Sequence, residues 1–400
     1  MGGKNKMERD KDQDRTHIAG FIAAVFLLAA GFLTLSAQNL TPYKILGDAK
    51  YRHSAEYKAG NKYQKDAILF MDMVADTHPF YVDAGRRAEW LAKKPSLIDK
   101  CKGIASDEAF VDELNEVLGP LHDGHTYVTT MKRVREGTQA GIQSANSPDM
   151  PGTIDTDHIM RRHRSYYDYH IFPEWRICYL QFNQCANEAD RPFDKFLDEM
   201  FVRMDEADVK TLVVDAQYNN GGNSQLCNQL LQHLYPADKM KRFTTYIRFS
   251  DLLAAYNSKM AKAKKKWERD GHKDELYQVP SSRLPEGYQQ PKLFDGQVVF
   301  VMGKRTFSSA GILMTLARDN HIGSIIGTTS SFPPSHYGEL LPFRLPNTEV
   351  MGTICCKYFV RPDTDAVDEP YLRPDVEINL DGKDKVWNYI RETFGVGPEE

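Results

Sequence analysis

Cysteine is scarce in this chain: there are six among 400 residues. That is too few for a disulfide scaffold. Cys101, Cys178, Cys185, Cys227, Cys355 and Cys356 also form no CxxC pair and no Cys/His group at zinc spacing. A surplus of either charge is lacking as well. Lys and Arg number 51 against 55 Asp and Glu, a formal net charge of −4, so electrostatics give no case for a nucleic-acid partner. The sequence has no internal repeat and no glycine-rich loop of the P-loop or dinucleotide type to cradle phosphates. No cofactor and no metal are therefore expected. After residue 35 every apolar run is of strand length, so no second membrane span is expected. What remains is ordinary globular composition, 41% hydrophobic and 26% charged, which excludes collagen-like, mucin-like and wholly disordered chains.

The N-terminus sets the expected compartment. Residues 1–15 carry five basic side chains (Lys4, Lys6, Arg9, Lys11, Arg15) and four acidic ones. An uncharged apolar run follows from Ile18 to Leu35 and ends in Ser36-Ala37-Gln38. Small residues at the end of such a run suit signal-peptidase cleavage after Ala37. The length is also close to that of a spanning helix. The expectation is export, with residues 1–37 a signal peptide or a membrane anchor. The protein would then be periplasmic or held at the outer side of the cytoplasmic membrane. In an oxidising compartment Cys178 and Cys185 could bridge; burial as free thiols is the other reading.

Apolar periodicity divides the rest. Tyr63–Ala75 and Phe110–Leu118 place apolar residues at helical spacing, and Gly119-Pro120 ends the second run. Residues 38–130 thus read as a small helical domain that closes on a turn, Leu121-His122-Asp123-Gly124-His125-Thr126. Residues 131–174 are polar and read as a linker or irregular segment. From Arg176 to Phe182 the pattern is strand-like, Phe193–Ala207 is helical, and Thr211–Asp215 is a short apolar strand followed by Asn219-Asn220-Gly221-Gly222. Residues 250–278 form a basic helical insertion, either a lid or partner surface or simply a solvated face. Gln297–Met302, the turn Gly303–Thr306, a helix from Ser308 and a strand at Ser324–Gly327 complete a β-turn-α-β unit. Strands alternating with helices predict an α/β core with a mainly parallel sheet over residues 175–385. Residues 386–400 form a C-terminal tail.

Three segments carry chemistry-bearing residues. Ser308 and Ser309 lie above the carboxyl end of a strand, where open α/β sheets bind ligands. The following helix offers free N–H groups there. Ser is equally a favoured helix N-cap. Gly221 and Gly222 let backbone N–H groups approach a ligand, or they form a plain tight turn. His125 has the chemistry of a general base, and the HDGH turn could instead hold a metal.

Taken in order, these pieces resemble the S41 serine peptidases, which include tail-specific processing proteases, the tricorn core and the retinoid-binding-protein repeats. The resemblance covers about residues 55–380. LHDGHTYV and the preceding DMVADTHP resemble the helical N-terminal part of the tricorn-like branch. RICYLQF resembles the first core strand, LVVDAQYNNGGN the strand-Asp-Leu-Arg-Asn-Asn-Gly-Gly segment, VVFVMGKRTFSSAG the nucleophile segment, and YLRPDVEI the closing Pro-Asp element. The resemblance implies a crotonase/ClpP-like core, and no PDZ-like segment is evident between residues 131 and 175.

It further implies Ser308 as nucleophile and His125 as base, since the residues after Gly327 offer no lysine for the alternative Ser-Lys arrangement. Glu369, or Asp368 beside it, becomes the acid that orients the histidine. Backbone N–H groups of Ser309 and of Gly221 or Gly222 become the oxyanion donors. Gly311 stands where the family commonly has Glu, and Gln217 where it commonly has Arg. The expected function is an exported serine peptidase acting on peptides or unfolded proteins through an acyl-enzyme. A non-catalytic peptide- or lipid-binding protein on the same scaffold is the alternative, and a crotonase-type acyl-CoA enzyme a weaker third reading.

Overall fold

The computed structural model describes residues 54–136, 165–256, 258–281, 284–380 and 385–397. The apolar run 18–35, the boundary after Ala37 and most of the segment expected to be irregular lie outside them. Among the described residues no helix is long and apolar enough to cross a membrane.

The chain divides into two compact units and passes between them repeatedly. It begins in the first unit with α1 (Ala55–Ala59), α2 (Lys62–Thr77), α3 (Ala84–Ala92), α4 (Lys94–Lys100), α5 (Asp107–Leu118) and β1 (Tyr127–Thr129). The second unit then receives β2 (Tyr167–Phe172), β3 (Ile177–Phe182), α6 (Phe193–Glu206), β4 (Thr211–Asp215) and α7 (Ser224–Gln232). The chain returns to the first with β5 (Thr244–Ile247), α8 (Asp251–Tyr256), α9 (Ser258–Arg269) and β6 (Tyr277–Gln278). It gives β7 (Gln297–Met302), α10 (Ser309–Asp319) and β8 (Ser324–Gly327) to the second, and β9 (His336–Arg344) and β10 (Met351–Val360) to the first. It ends in the second with β11 (Val376–Glu377) and α11 (Lys385–Phe394).

This division differs from the boundaries read in the sequence. Residues 336–359, read as part of the α/β core, belong to the first unit. Residues 386–394, read as tail, form most of α11 against the second unit's sheet. The basic insertion belongs with the N-terminal helices: α8 and α9 bury Leu252, Leu253 and Met260 in the first unit's core and leave Lys259, Lys262 and Lys265 exposed. Lys264 of α9 is paired with Asp251 and Glu268. Residues 167–172, taken as irregular, form an edge strand. YDYHIF interleaves polar side chains with apolar ones, and only half of such a strand advertises its burial.

In the second unit the sheet order is β11-β8-β7-β4-β3-β2, parallel throughout except for antiparallel β2 at the edge. Successive strand side chains point to opposite faces. Cys178, Leu180, Phe182, Leu212, Val214, Val298, Phe300 and Met302 pack with α6, α7 and α10. Ile177, Tyr179, Val213, Val299, Val301 and Ile326 pack with Val386, Trp387 and Ile390 of α11. Both faces are covered, which is why these strands read as continuous apolar runs rather than alternating ones. The fold is mixed α/β as the sequence predicts. The carboxyl ends of β4 and β7 carry the two turns of interest.

The first unit gathers α2 and α5 against a second sheet, in which β10 pairs antiparallel with both β1 and β9. α2 starts at a capping box in which Asn61 and Gln64 satisfy each other's backbone N–H groups. It buries Phe70, whose ring lies against Trp90 and Phe343. α5 starts at Ser106, with Asp107 and Glu108 in its first turn. The Asn115 side chain of α5 bonds both the N–H and the carbonyl of Val128 in β1, at 3.0 and 2.9 Å. The turn carrying His125 is thereby clamped at both ends.

Candidate active site

The serine turn is built at the end of β7. Thr306 is fully buried, donates its hydroxyl to the Ala216 carbonyl at 2.8 Å and accepts the Gly303 N–H at 2.9 Å. That pair of bonds ties the turn to the end of β4. Phe307 N–H then reaches the Asn219 carbonyl at 3.0 Å. Ser308 follows with φ 53° and ψ −122°, a backbone conformation that L-residues avoid at a cost of about 1–3 kcal/mol. The corner between a strand and a helix is the backbone setting of a nucleophile elbow. Ser308 stands at the N-cap of α10 but makes no side-chain cap bond, so the ordinary N-cap explanation for this serine does not hold. Ser309 opens the helix, where the first N–H groups have no intrahelical acceptor. Its hydroxyl donates to the Gly222 carbonyl at 2.7 Å.

The glycine turn meets the serine turn directly. A Cβ at Gly221 would lie 2.7 Å from the Ser308 Cβ, 2.8 Å from the Phe307 carbonyl oxygen and 2.8 Å from the Ser309 nitrogen, and its φ is +95°. Only glycine serves there. The Gly221 N–H is taken by the Asn219 side-chain oxygen at 2.8 Å, and Asn219 is itself anchored to the Phe182 carbonyl at 2.8 Å. Of the two glycines expected to donate to an oxyanion, Gly221 therefore supplies the close approach, and the Gly222 N–H is left as the candidate donor.

Cys185 and Cys227 lie under this turn with their sulfurs 3.6 Å apart. All six cysteines are buried and free. Burial pushes the Cys101 thiol up to about 12 and Cys178 higher still.

The two departures from the expected pattern each have a local partner. Gly311 faces the Phe332 ring, whose Cδ1 lies 2.2 Å from where a Cβ would be. An aromatic ring fills the place of the missing carboxylate side chain. Gln217 donates its amide to both oxygens of buried Asp215, at 3.1 and 2.9 Å, while Tyr179 donates to the same carboxylate at 2.6 Å. Beyond these residues, at the carboxyl ends of β4, β7 and β8, a cavity of about 600 Å³ is lined by Gln217, Tyr218, Lys304, Arg305, Glu377 and Asn379 among others. Open parallel sheets bind ligands at that end.

Glu369 belongs to the same unit. Its carboxylate accepts from Arg361 at 2.6 Å, and Arg361 is also held by Asp319 on two bonds. Glu369 itself is about half exposed, whereas Arg361 and Asp319 are almost wholly buried. Asp368 adjoins it.

His125 belongs to the first unit and is 9% exposed. Thr353 of β10 donates its hydroxyl to the His125 carbonyl at 2.5 Å. The ring Nδ1 lies 3.1 Å from the Tyr337 carbonyl oxygen. A carbonyl only accepts, so Nδ1 carries the hydrogen and Nε2 the lone pair. Burial lowers the imidazole's pKa, while the Asp123 charge and the Tyr337 carbonyl oppose that fall. Asp123 Oδ1 accepts the His125 N–H at 3.0 Å and lies 3.7 Å from Nδ1.

Sequence reading missed the roles of Asn219, Arg361, His78 and the Tyr337 carbonyl, and outside the metal alternative for the HDGH turn it gave Asp123 no part in positioning His125. Only Asp123 carried a usable signal: an Asp two residues before His is the spacing of an Asx turn.

Among the predicted residues, Ser308, Ser309, Gly221 and Gly222 are brought together within the second unit. Glu369 lies in that unit on Arg361, and His125 in the first.

The model of peptidase family S41 matches residues 176–378, the span from β3 to β11. No curated protein matches the sequence. In structure the chain is similar to a candidate peptidase from Parabacteroides merdae ATCC 43184, with TM-score 0.52 and 15% identity over 81% of this chain and 92% of that one. It is also similar to a lipoprotein from Streptococcus agalactiae, with TM-score 0.50 and 12% identity over 83% and 96%. A photosystem II D1 C-terminal processing protease aligns at TM-score 0.47 and 10% identity over 84% and 98%. At these identities the first two likenesses establish the fold.

Proposed function

The chain belongs to peptidase family S41, whose members are serine peptidases, and we propose that it hydrolyses peptide bonds with Ser308 as nucleophile and His125 as general base. The observation that carries this reading is Ser308 itself, held at φ 53° and ψ −122° between β7 and α10 and pressed against Gly221. Strain of this kind persists only where the surroundings impose it, and it concentrates at reacting groups.

In the proposed reaction His125 Nε2 takes the Ser308 proton as Oγ attacks the substrate carbonyl. The tetrahedral oxyanion is received by the N–H groups of Ser309 and Gly222, a preorganised pair whose individual members are worth about 10²–10³ in rate. The imidazolium then gives its proton to the leaving amine, and water repeats the cycle on the acyl-enzyme.

The family resemblance names Glu369, with Asp368 beside it, as the acid behind His125. In its own unit His125 Nδ1 already has the Tyr337 carbonyl as acceptor, and Glu369 serves Arg361. Glu369→Gln decides between the two. Loss of about 10³–10⁴ in kcat is the signature of a triad acid. A loss under about tenfold assigns the orienting role to the carbonyl.

Export is part of the same proposal. It is supported by the uncharged run 18–35 and the small residues at Ser36 and Ala37. Sequencing the N-terminus of the protein recovered from periplasmic and membrane fractions should find it beginning at Gln38.

The assignment is tested with Ser308→Ala beside the unaltered protein, using an unfolded peptide substrate and a fluorophosphonate label. Turnover and labelling should both vanish in the variant. Equal turnover by the two proteins overturns the reading. An unlabelled protein that still retains peptides on a column would instead be a binding protein on this scaffold.

A further inference from the structure

We propose that Asp123 is the positioning carboxylate of His125: locked by His78 and Thr126, it fixes the turn that carries the imidazole and places a permanent negative charge beside the ring. The proposal rests on the reading of His125 as general base.

The carboxylate has a donor for each direction it faces. Oδ1 accepts the His125 N–H at 3.0 Å, while Oδ2 accepts the Thr126 hydroxyl at 2.6 Å and the His78 ring at 3.0 Å. Thr126 is itself oriented, because its oxygen accepts the Cys355 N–H from β10 at 3.1 Å. His78 is wholly buried, and its Nδ1 accepts the Phe80 N–H at 3.2 Å. Nδ1 therefore holds the lone pair, Nε2 holds the hydrogen, and the hydrogen points at Asp123.

His78, Asp123 and Cys355 also bring three ligand atoms within 4.8 Å of one another. The tautomer argues against a metal there: the nitrogen facing the cluster carries a proton, and the one with the lone pair is occupied by Phe80. The group is a closed hydrogen-bond network that keeps a buried carboxylate ionised. Burial works to raise the Asp123 carboxyl, and the hydrogen bonds from the His78 ring and the Thr126 hydroxyl lead the effects that outweigh it and hold it at about 2.

The consequence falls on His125. An anion 3.7 Å from Nδ1 favours the imidazolium that forms as Ser308 loses its proton. The same residue fixes the ring's backbone through the His125 N–H, so charge and orientation come from one side chain. The other titratable groups facing Asp123 are His78, Tyr337 and Cys355, with Arg248 beyond His78.

The test is a titration of His125 by NMR in the full chain with labelled histidine, run alongside peptidase kinetics, for Asp123→Asn. The His125 midpoint should fall by about one pH unit when the charge is removed. The acid limb of kcat/KM should move with it, and kcat should drop by about tenfold or more while KM changes less than threefold. Thr126→Val, close to isosteric, takes one donor from the carboxylate and should shift His125 in the same direction by less. It also keeps the question open to measurement if Asp123→Asn fails to fold.

An unmoved His125 midpoint in the folded variants overturns the proposal, whatever the activity. A protein without peptidase activity whose His125 still shifts overturns the reading of His125 as base and leaves its coupling to Asp123 standing.

Discussion

Ser308 spends backbone energy to occupy its corner. At φ 53° it makes no side-chain cap bond to α10. Removing the Cβ should relieve the conformation. Ser308→Gly is therefore expected to be inactive yet more stable than the parent by about 1 kcal/mol, read as a shift in the denaturant midpoint at unchanged slope. A loss of stability would mean that the corner is not strained. Gly221 makes the opposite case. An alanine Cβ would intrude on Ser308, Phe307 and Ser309 at 2.7–2.8 Å, at a φ of +95°. Gly221→Ala should lower turnover by at least about 10² by displacing the nucleophile and its neighbouring oxyanion donor, while KM moves little. Wild-type kcat in that variant would separate the glycine turn from the chemistry.

At the level of elements, α10 joins the serine turn to the rest of the core, and its third residue is Gly311. Helix propensity alone says that alanine there gains about 1 kcal/mol. The structure says the reverse, because a Cβ would fall 2.2 Å from the Phe332 ring, which is itself buried. Overpacking of this kind costs about 1–3 kcal/mol. Gly311→Ala should destabilise the protein in thermal melts, and the same change in a Phe332→Ala background should stabilise it. If Gly311→Ala alone stabilises, Phe332 yields more easily than its burial implies.

The elements also mark how far the sequence could be read. β3, β4 and β7 are legible because both faces of each are buried, leaving apolar runs that end in recognisable turns. The residues of the serine and glycine turns are legible because their types are chemically restricted. β2 is hidden by its interleaved polar side chains, and Gly311 was visible only as a departure until Phe332 supplied its reason. The acceptor of His125 Nδ1 is a backbone carbonyl at Tyr337, 212 positions away. A backbone group leaves no mark on residue identity. His78 pairs with Asp123 across 45 positions, and nothing in either local pattern points to the other.

For the whole molecule three histidines act in one direction. His78 and His125 are both lowered by burial from the ordinary 6.5, as is His233 in the second unit. The unfolded chain takes up these protons first, so stability is lost as pH falls below about 6.5. Asp123 is held at about 2 from an ordinary 3.8. Its contribution, of order 2 kcal/mol, is fully present above pH 3.8 and disappears as pH falls toward 2. Scanning calorimetry should therefore find Tm declining steadily from pH 7 to pH 4.5 through the histidines, then more steeply through the carboxylate. A Tm that holds constant down to pH 4.5 would contradict the buried, neutral state of these rings.

The path of the backbone has an inheritance of its own. Because the polypeptide alternates between its two bodies, with the described residues of 54–136, 244–280 and 336–359 in one and the other described residues in the second, no single scission releases either body whole and by itself. Neither can be lent to another protein as a cassette, and a gene fusion that preserves one must carry the other. The histidine-bearing loop and the serine-bearing loop are in this sense bequeathed together, and a deletion intended to remove one half would dismantle both.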